Sequence, residues 1–290
     1  MTYQLNGTGI WSAALRYGDL APAAEAAAEL ETMGYSALWL PDVGGNLFEA
    51  VENCLRATSS ITVATGILNL WMHEPQESAR QHARLVAEHG RRFLMGIGVS
   101  HGPLVNSIEP DQYQKPLAKT ESYLDALDAE SPTVPADERV LAALGPKMLD
   151  LAMRKAAGTH PYNVMPEHTA AARQALGPDK LVLPEQAVVL ETDAAEARRI
   201  ARQFLASYLA LPNYANNWFR FGFTPGDAAD GGSDHLVDAL VAWGDVDAIV
   251  ERVQAHLDAG ADHVCLQVLT DEQLGYPMDQ WRRLAEALCG

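Results

Sequence analysis

The chain has 290 residues, of which 48% are hydrophobic and 20% are charged, so its composition is that of a folded protein rather than a disordered one. It carries 21 Lys and Arg residues against 38 Asp and Glu residues, a formal net charge of −17. A surface this negative repels nucleic-acid backbones, and no apolar run approaches the ~18 residues that a membrane span needs. We therefore expect neither nucleic acid nor membrane as a partner.

The three cysteines, Cys54, Cys265 and Cys289, lie far apart and form no CxxC pair. This spacing predicts neither a zinc site nor a disulfide framework, and it is typical of a reducing compartment. Residues 1–6 show neither the basic start nor the apolar core of a secretory signal. We expect a cytoplasmic protein, and the lack of any HExxH-like cluster predicts no bound metal.

Apolar strand-like runs alternate with helical patterns along the whole sequence. Strands that are apolar on both faces and are each followed by a helix predict a parallel sheet. Eight such units in 290 residues favour an α/β fold of the closed (β/α)8 type, a TIM barrel, over an open doubly wound sheet. The predicted strands are Gly9–Ala13, Ala37–Pro41, Ile61–Leu70, Phe93–Val99, Arg139–Leu144, His160–Met165, Leu181–Leu190 and His263–Leu269.

One long connection separates the seventh and eighth strands. Residues 212–260 contain Pro, Gly and Asp clusters with helical pieces, so we interpret them as a helical excursion near the barrel mouth. The chain is then a single barrel domain over residues 1–290. The predicted helices are Asp19–Met33, Phe48–Ser59, Gln76–Gly90, Lys115–Asp128, Lys147–Ala157, Glu167–Leu176, Ala194–Leu211 and Asp279–Leu288.

The functional residues of such a barrel lie at the carboxyl ends of its strands, because the loops that follow the strands form the open face. Asp42 follows the second strand, where a carboxylate either orients a substrate or caps the next helix. His101 follows the fourth strand, and an imidazole there either transfers a proton near neutral pH or is an ordinary hydrogen-bonded histidine. Asp42 and His101 are the candidate catalytic residues. His160 and Tyr162 lie on the sixth strand.

Gly145-Pro146-Lys147 follows the fifth strand. Proline is favoured at the first helical position, and the free N–H groups of a helix start attract anions. Lys147 adds a positive charge to this start. The segment therefore predicts an anion site, with a simple tight connection between strand and helix as the alternative.

Gly96-Ile97-Gly98 matches only the start of a dinucleotide fingerprint. His101 stands in place of the third glycine, and a proline-containing loop is expected to follow instead of a helix, so the match fails. Two interpretations stay open for these glycines. Either they let a flat ring approach the backbone, or they fit the packing of the barrel.

Five segments in this order and spacing carry a family resemblance: residues 37–42, 64–67, 92–101, 141–146 and 259–264. Through them the chain resembles the luciferase-like flavin and deazaflavin oxidoreductases over nearly its whole length, in particular the branch that depends on coenzyme F420. Two departures concern the substrate. Val43 stands where some sugar-phosphate-oxidising relatives have histidine, and His101 where they have an acidic residue. We therefore do not expect glucose 6-phosphate oxidation.

The resemblance implies a (β/α)8 barrel, commonly dimeric, with an insertion after strand seven and the cofactor ring in the barrel mouth. It also implies a cis peptide bond at Gly66–Ile67 behind the ring, ring contacts from 99–101 and side-chain and phosphate contacts from 143–147. With the strand-end residues added, the expected cofactor-binding residues are Gly66, Ile67, Asn69, Val99, Ser100, His101, Ala143, Leu144, Gly145, Pro146, Lys147, His160 and Tyr162.

The function expected from this resemblance is an F420-dependent oxidoreductase. It would transfer a hydride between the deazaflavin ring and an alcohol, aldehyde, imine or activated alkene, while His101 and Asp42 handle the proton. The nearest alternative is an FMN-dependent monooxygenase of the same superfamily, which needs reduced flavin from a partner reductase. A protein that binds the cofactor without catalysis is a third possibility. The expected partners are a small-molecule substrate and a second copy of the chain.

Overall fold

The computed structural model describes residues 3, 5–272 and 274–290. Residues 1–6, for which the lack of a signal segment is predicted, therefore lie partly outside the described chain. All strand pairings are parallel, as predicted. The strands are β1 (Thr8–Trp11), β2 (Ala37–Leu40), β3 (Thr62–Thr65), β4 (Leu68–Asn69), β5 (Phe93–Gly98), β6 (Arg139–Leu141), β7 (Gly158–Thr159), β8 (Leu181–Val182), β9 (Glu185–Val189), β10 (Val241–Trp243) and β11 (Val264–Val268).

One segment of the chain closes the sheet into a barrel. Its first part, β8, pairs with β7, and its second part, β9, pairs with β11. The ladder is interrupted at Leu183 and Pro184, since proline has no N–H to donate. From β9 the strands run β11, β1, β2, β3, β5, β6, β7 and back to β8. The predicted (β/α)8 barrel is therefore confirmed.

The helices surround this sheet and bury one face against it. In α2, Ala23, Ala26, Ala27 and Leu30 are buried, and their spacing places them on one stripe of the helix. Within the described residues, no helix combines the length and the apolar character that crossing a bilayer requires. The helices are α1 (Ala14–Tyr17), α2 (Leu20–Thr32), α3 (Leu47–Ala57), α4 (Pro75–His89), α5 (Gly102–Ile108), α6 (Pro116–Ala129), α7 (Pro146–Lys155), α8 (Pro166–Leu176), α9 (Ala194–Leu205), α10 (Pro212–Arg220), α11 (Asp234–Leu240), α12 (Val246–Asp258) and α13 (Met278–Leu288).

Four local predictions were wrong. The seventh strand is not continuous over Leu181–Leu190 but is divided into β8 and β9. The third strand is not continuous over Ile61–Leu70 but is divided into β3 and β4, and between them the Gly66–Ile67 peptide bond is cis, as the resemblance implies. The sixth strand lies before His160–Met165, in β7, because Pro161 cannot donate to a ladder. The residues after His101 form the helix α5 rather than a loop, with Pro103 in the first turn, where its missing N–H costs nothing.

Residues 212–260 contain a strand that the sequence analysis missed. They hold α10, α11 and α12 as helical pieces, but also β10, which pairs with the outer part of β9. Trp218 of α10 is fully buried, and its indole N–H donates to the carbonyl of Asn163 at 3.1 Å. This bond fastens the excursion to the end of the sixth barrel unit. The single-domain organisation of the chain stays a prediction.

Polar and aromatic side chains fill part of the barrel interior. Trp39 of β2 is fully buried, and its indole N–H donates to Nε2 of His263 at 3.2 Å. Its ring stacks on His160, with 4.0 Å between the ring centroids. Hydrogen bonding satisfies the indole in an otherwise apolar environment. These rings lie below the open end of the barrel and fill its interior.

Candidate active site

A cavity of about 340 Å³ opens at the carboxyl ends of the strands. Its wall is formed by Trp11 at the end of β1, by the segments after β2, β5, β6 and β7, by the peptide between β3 and β4, and by the excursion. This is the position expected for a functional site in a (β/α)8 barrel. The predicted site residues that line it are Asp42, Gly66, Ile67, Val99, Ser100, His101, Ala143, Leu144, Gly145, His160 and Tyr162.

Three predicted residues lie outside this lining. Asn69 is fully buried behind the wall, where its backbone N–H donates to Asp42 at 3.0 Å. Pro146 and Lys147 are exposed in the first turn of α7 and line a separate surface groove with Asp150. Lys147 therefore does not add charge to the main cavity, since its helix turns it toward solvent.

The cavity also contains residues that the sequence analysis missed. Trp11, at the end of β1, donates its indole N–H to the carbonyl of Gly66 at 2.9 Å. Tyr214 and Arg220 come from the excursion, and Arg220 carries the only positive charge among the described lining residues. The position of Trp11 at the end of a predicted strand could have identified it as a site residue. No local pattern indicates Arg220, because the excursion reaches the cavity only through its tertiary packing.

Asp42 is tied into the wall through both carboxylate oxygens. Oδ1 accepts from the backbone N–H of Gly44 at 3.2 Å and lies 4.0 Å from the Arg16 guanidinium. Oδ2 accepts from the N–H of Asn69 and lies 2.8 Å from Nε2 of His73. Asp42 is buried, so these contacts compensate the cost of removing its charge from water. The arrangement is that of a carboxylate that positions the loops after β2 and β4.

His101 projects from the start of α5 into the cavity. Its side chain makes no capping hydrogen bond, and Nδ1 has no hydrogen-bond partner within the described chain. The ring packs against Tyr214 and Tyr208, with centroid distances of 5.4 Å and 6.2 Å. Burial lowers the pKa of His101, so its neutral form predominates near pH 7. The preceding Ser100 has a φ of 52°, a left-handed conformation that is uncommon for serine.

His160 and Tyr162 hold the far side of the cavity. Nδ1 of His160 lies 2.7 Å from the carbonyl of Leu183, so this nitrogen carries the proton. Burial lowers the pKa of His160 to about 4, which keeps its ring neutral. The hydroxyl of Tyr162 donates to Oε1 of Gln267 at 2.7 Å and lies 3.2 Å from the hydroxyl of Tyr208. Burial raises the pKa of Tyr162, so it stays protonated.

The glycines of β5 serve the packing of the barrel. A Cβ at Gly96 would lie 1.9 Å from the carbonyl oxygen of Thr65. One at Gly98 would lie 2.7 Å from the side chain of Ile67 and 3.0 Å from that of Ala142. Protein atoms therefore occupy the space beside both glycines. The open question from the sequence is answered in favour of packing rather than approach of a ring.

The start of α7 and Arg220 converge at one edge of the cavity. Gly145 precedes the helix without a side-chain cap, and Pro146 lies in the first turn. A Cβ at Gly145 would lie 3.4 Å from the Arg220 guanidinium, so the guanidinium packs directly beside this residue. Arg220 forms no ion pair with a described residue, and its one hydrogen bond reaches Oδ1 of Asn217 at 3.5 Å. Pro146 has no N–H, and Met148 and Leu149 donate theirs to the carbonyl of Gly145, so the guanidinium of Arg220 is the group at this edge that suits an anion.

A group of potential metal ligands lies elsewhere. Glu52, Glu88 and His89 are close together on α3 and α4, outside the cavity lining. The guanidinium of Arg84 contacts Glu52 at 2.8 Å and Glu88 at 3.1 Å. Because a cation already neutralises these carboxylates, we interpret the group as a surface ion-pair network.

The family model of luciferase-like monooxygenases matches residues 5–263. Comparison with curated protein sequences gives no match. Solved structures resemble the chain over nearly its full length. An F420-dependent secondary alcohol dehydrogenase, in complex with an F420–acetone adduct, superposes with a TM-score of 0.75 at 12% identity, and 97% of each chain is covered.

Two further structures represent both cofactors. The coenzyme F420-dependent tetrahydromethanopterin reductase from Methanopyrus kandleri has a TM-score of 0.71 at 15% identity, with 96% of each chain covered. The oxygenating constituent of 3,6-diketocamphane monooxygenase from Pseudomonas putida, in complex with FMN, has a TM-score of 0.65 at 15% identity. Here 98% of this chain and 96% of that chain are covered. At these identities the likeness establishes the fold.

Proposed function

Because the chain belongs to the luciferase-like monooxygenase family, we propose that it is an oxidoreductase that binds coenzyme F420 in the cavity described above. Its substrate is a small organic molecule, namely an alcohol or aldehyde, an imine or an activated alkene. Bound F420 supplies the hydride chemistry of its ring. The residues of the chain bind and orient the two reactants and move the accompanying proton.

The cavity fits a flat, mostly apolar ring with a phosphate-bearing side chain. Its volume of about 340 Å³ lies within the ordinary range of ligand sites. Gly66, Ile67 and Val99 offer backbone and small apolar surface to a ring. Beside the start of α7, Arg220 offers a positive charge to a phosphate. Asp42 holds the adjoining loops in place through Asn69 and His73.

The observation that carries the proposal is the state of His101. Its imidazole lies in the cavity, Nδ1 has no protein partner within the described residues, and burial favours the neutral ring. A neutral imidazole in this position accepts the hydroxyl proton when an alcohol is oxidised and returns a proton in the reverse direction. This is the proton transfer that must accompany hydride transfer. Asp42, whose oxygens are engaged, acts as a positioning residue.

A parallel titration with oxidised F420 and with FMN tests the cofactor. Trp11 lies in the cavity wall, so binding of either ring is expected to quench intrinsic tryptophan fluorescence. We expect micromolar or tighter binding of F420 and much weaker binding of FMN. The reverse preference would favour an FMN-dependent monooxygenase. If neither cofactor binds, the proposed function is wrong.

Substitution of His101 tests the proton transfer. In a screen of F420-dependent turnover, His101→Gln is expected to lower kcat by about 10²-fold or more while F420 binding changes little. His235→Gln is the control, because His235 is exposed on α11. Equal kcat values for His101→Gln and the wild type would contradict the proposed role.

We also infer that the enzyme is a cytoplasmic homodimer. Support for the compartment comes from the cysteines, since Cys54, Cys265 and Cys289 are all free thiols. Support for the dimer comes from the family resemblance alone. Light scattering of the purified protein measures its mass in solution, and a monomeric mass would contradict the dimer.

A further inference from the structure

The segment that carries His101 has an uncommon backbone conformation. Ser100, the residue before it, has a φ of 52°, in the left-handed region that serine rarely adopts. Such a conformation costs free energy and persists only when neighbouring contacts hold it. His101 then enters α5 without a side-chain cap. The contacts that hold residues 99–101 therefore determine where the imidazole lies.

Trp71, in the loop between β4 and α4, provides one of these contacts. Its indole N–H donates to the carbonyl oxygen of Val99 at 2.9 Å. This carbonyl belongs to the peptide plane whose rotation sets the φ of Ser100, so the hydrogen bond acts on the uncommon angle itself. Trp71 is absent from the described lining of the cavity. Its influence on the cavity therefore passes through Val99 rather than through a bound ligand.

The backbone of Trp71 is fixed in turn through Asp42. The N–H of Trp71 donates to Oδ1 of Asn69 at 3.2 Å, and the N–H of Asn69 donates to Oδ2 of Asp42 at 3.0 Å. Asn69 and Asp42 are both buried, so these bonds are shielded from water. A path of hydrogen bonds thus connects Asp42, on one wall of the cavity, with the segment that carries His101.

Two side chains pack on the ring of Trp71. Nζ of Lys119 lies 5.3 Å from the ring centroid, and the ring centroid of Tyr113 lies 5.6 Å from it. A cation over an indole ring is an attractive contact. Tyr113 also packs against Gly102, since a Cβ there would lie 3.4 Å from its ring. The same group of side chains therefore contacts the chain on both sides of His101.

We propose that Trp71 is a positioning residue that holds the imidazole of His101 in the cavity through its hydrogen bond to Val99. This inference rests on the proposed function, because the position of His101 affects turnover only if this histidine moves the proton. The competing explanation is that the contacts with Tyr208 and Tyr214 hold the ring by themselves. In that case Trp71 stabilises its loop without any effect on His101.

NMR titration of the imidazole signals in the purified protein without cofactor measures the environment of His101. Trp71→Phe removes the indole N–H and keeps an aromatic ring. Burial lowers the pKa of His101 in the wild type, so a ring that moves toward water regains a pKa nearer its ordinary value. We expect this rise in Trp71→Phe, together with an unchanged pKa of about 4 for His160, whose Nδ1 is bound to the carbonyl of Leu183. The His101→Gln variant identifies the signal of His101.

Trp243→Phe is the matched control. The indole N–H of Trp243 donates to Oδ1 of Asp238 at 2.8 Å, and Trp243 is likewise absent from the described lining of the cavity. This variant is expected to keep the His101 pKa of the wild type. An equal His101 pKa in Trp71→Phe and in the wild type would overturn the proposal. Equal changes at His101 and His160 would also overturn it, because they would show that the whole cavity had loosened.

Binding and turnover of F420 separate this proposal from the proposed function. Trp71→Phe is expected to lower kcat several-fold while the Kd of F420 changes by less than about twofold, since Trp71 does not line the cavity. A raised His101 pKa in Trp71→Phe, but no binding of F420 or FMN to the wild type, would support the positioning of His101 and contradict the proposed function. F420-dependent turnover by the wild type, with an unchanged His101 pKa in Trp71→Phe, would do the opposite.

Discussion

Substitution of Asp42 by asparagine distinguishes a positioning carboxylate from a catalytic one. The carboxylate accepts from the backbone N–H groups of Gly44 and Asn69 and pairs with His73. Asparagine keeps one acceptor oxygen but places an NH2 group where the second oxygen was. At least one buried donor then faces another donor, and Arg16 loses its nearby negative charge.

The expected cost follows from these contacts. Leaving a buried donor without an acceptor costs about 1–3 kcal/mol, and more when charge is involved. The Arg16 guanidinium is 4.0 Å from Asp42 and also donates to the carbonyl of Gly44 at 2.6 Å, so it keeps one partner. We therefore expect Asp42→Asn to lower the free energy of unfolding by about 3 kcal/mol rather than by the ~5 kcal/mol of a fully broken buried pair.

Urea unfolding measures this change as a lower midpoint at an unchanged slope. Asp193→Asn is the control, because Asp193 is an exposed N-cap that accepts from the N–H of Glu196, and asparagine caps helices about as well. If Asp42→Asn unfolds at the same urea concentration as the wild type, the positioning role is refuted. A variant of full stability that binds F420 but has lost turnover would instead make Asp42 a catalytic residue.

Three further substitutions test the packing around Gly98, the buried carboxyl group of Glu185 and the role of Arg220 in binding a phosphate. Gly98→Ala should lower the free energy of unfolding by about 1–3 kcal/mol, because its Cβ would overlap the side chain of Ile67. In the control Gly226→Ala the new Cβ meets no atom closer than 3.5 Å, so this variant should be nearly as stable as the wild type. Equal urea midpoints for the two variants would contradict the prediction. Burial raises the pKa of Glu185 from 4.5 to about 8, so its contribution to stability is full below pH 4.5 and is lost as the pH rises through about 8. The stability of Glu185→Gln relative to the wild type should therefore rise between about pH 5 and about pH 9. If the difference in the free energy of unfolding between variant and wild type is the same at both pH values, the raised pKa of Glu185 is refuted. Arg220→Gln should weaken F420 binding about tenfold at low salt and reduce its salt dependence, and an unchanged Kd would remove Arg220 from the phosphate site.

The barrel and most of its strand ends are predictable from the amino-acid sequence alone. Parallel strands buried on both faces read as apolar runs, and the helices between them show periodic apolar faces, so both signals are local. Three of the four wrong local predictions lie at prolines. Pro161 and Pro184 interrupt ladders that the apolar pattern continues, while Pro103 begins a helix where a loop was expected. The strand β10 has too few residues to show a periodic pattern in the sequence, and it is recognised only by its pairing with β9.

Only part of the candidate site could be predicted from the sequence. Residues that end the strands, such as His101, could be identified because a parallel barrel brings all strand ends to one face. The hydrogen bonds to both carboxylate oxygens of Asp42 could not be predicted in this way. The partners Gly44, Asn69 and His73 lie in loops that approach Asp42 only in the folded barrel. Arg220 likewise reaches the cavity only when residues distant in sequence pack together. The local sequence thus determines which side chains reach the open face, while tertiary packing decides which of them keep a free polar group there.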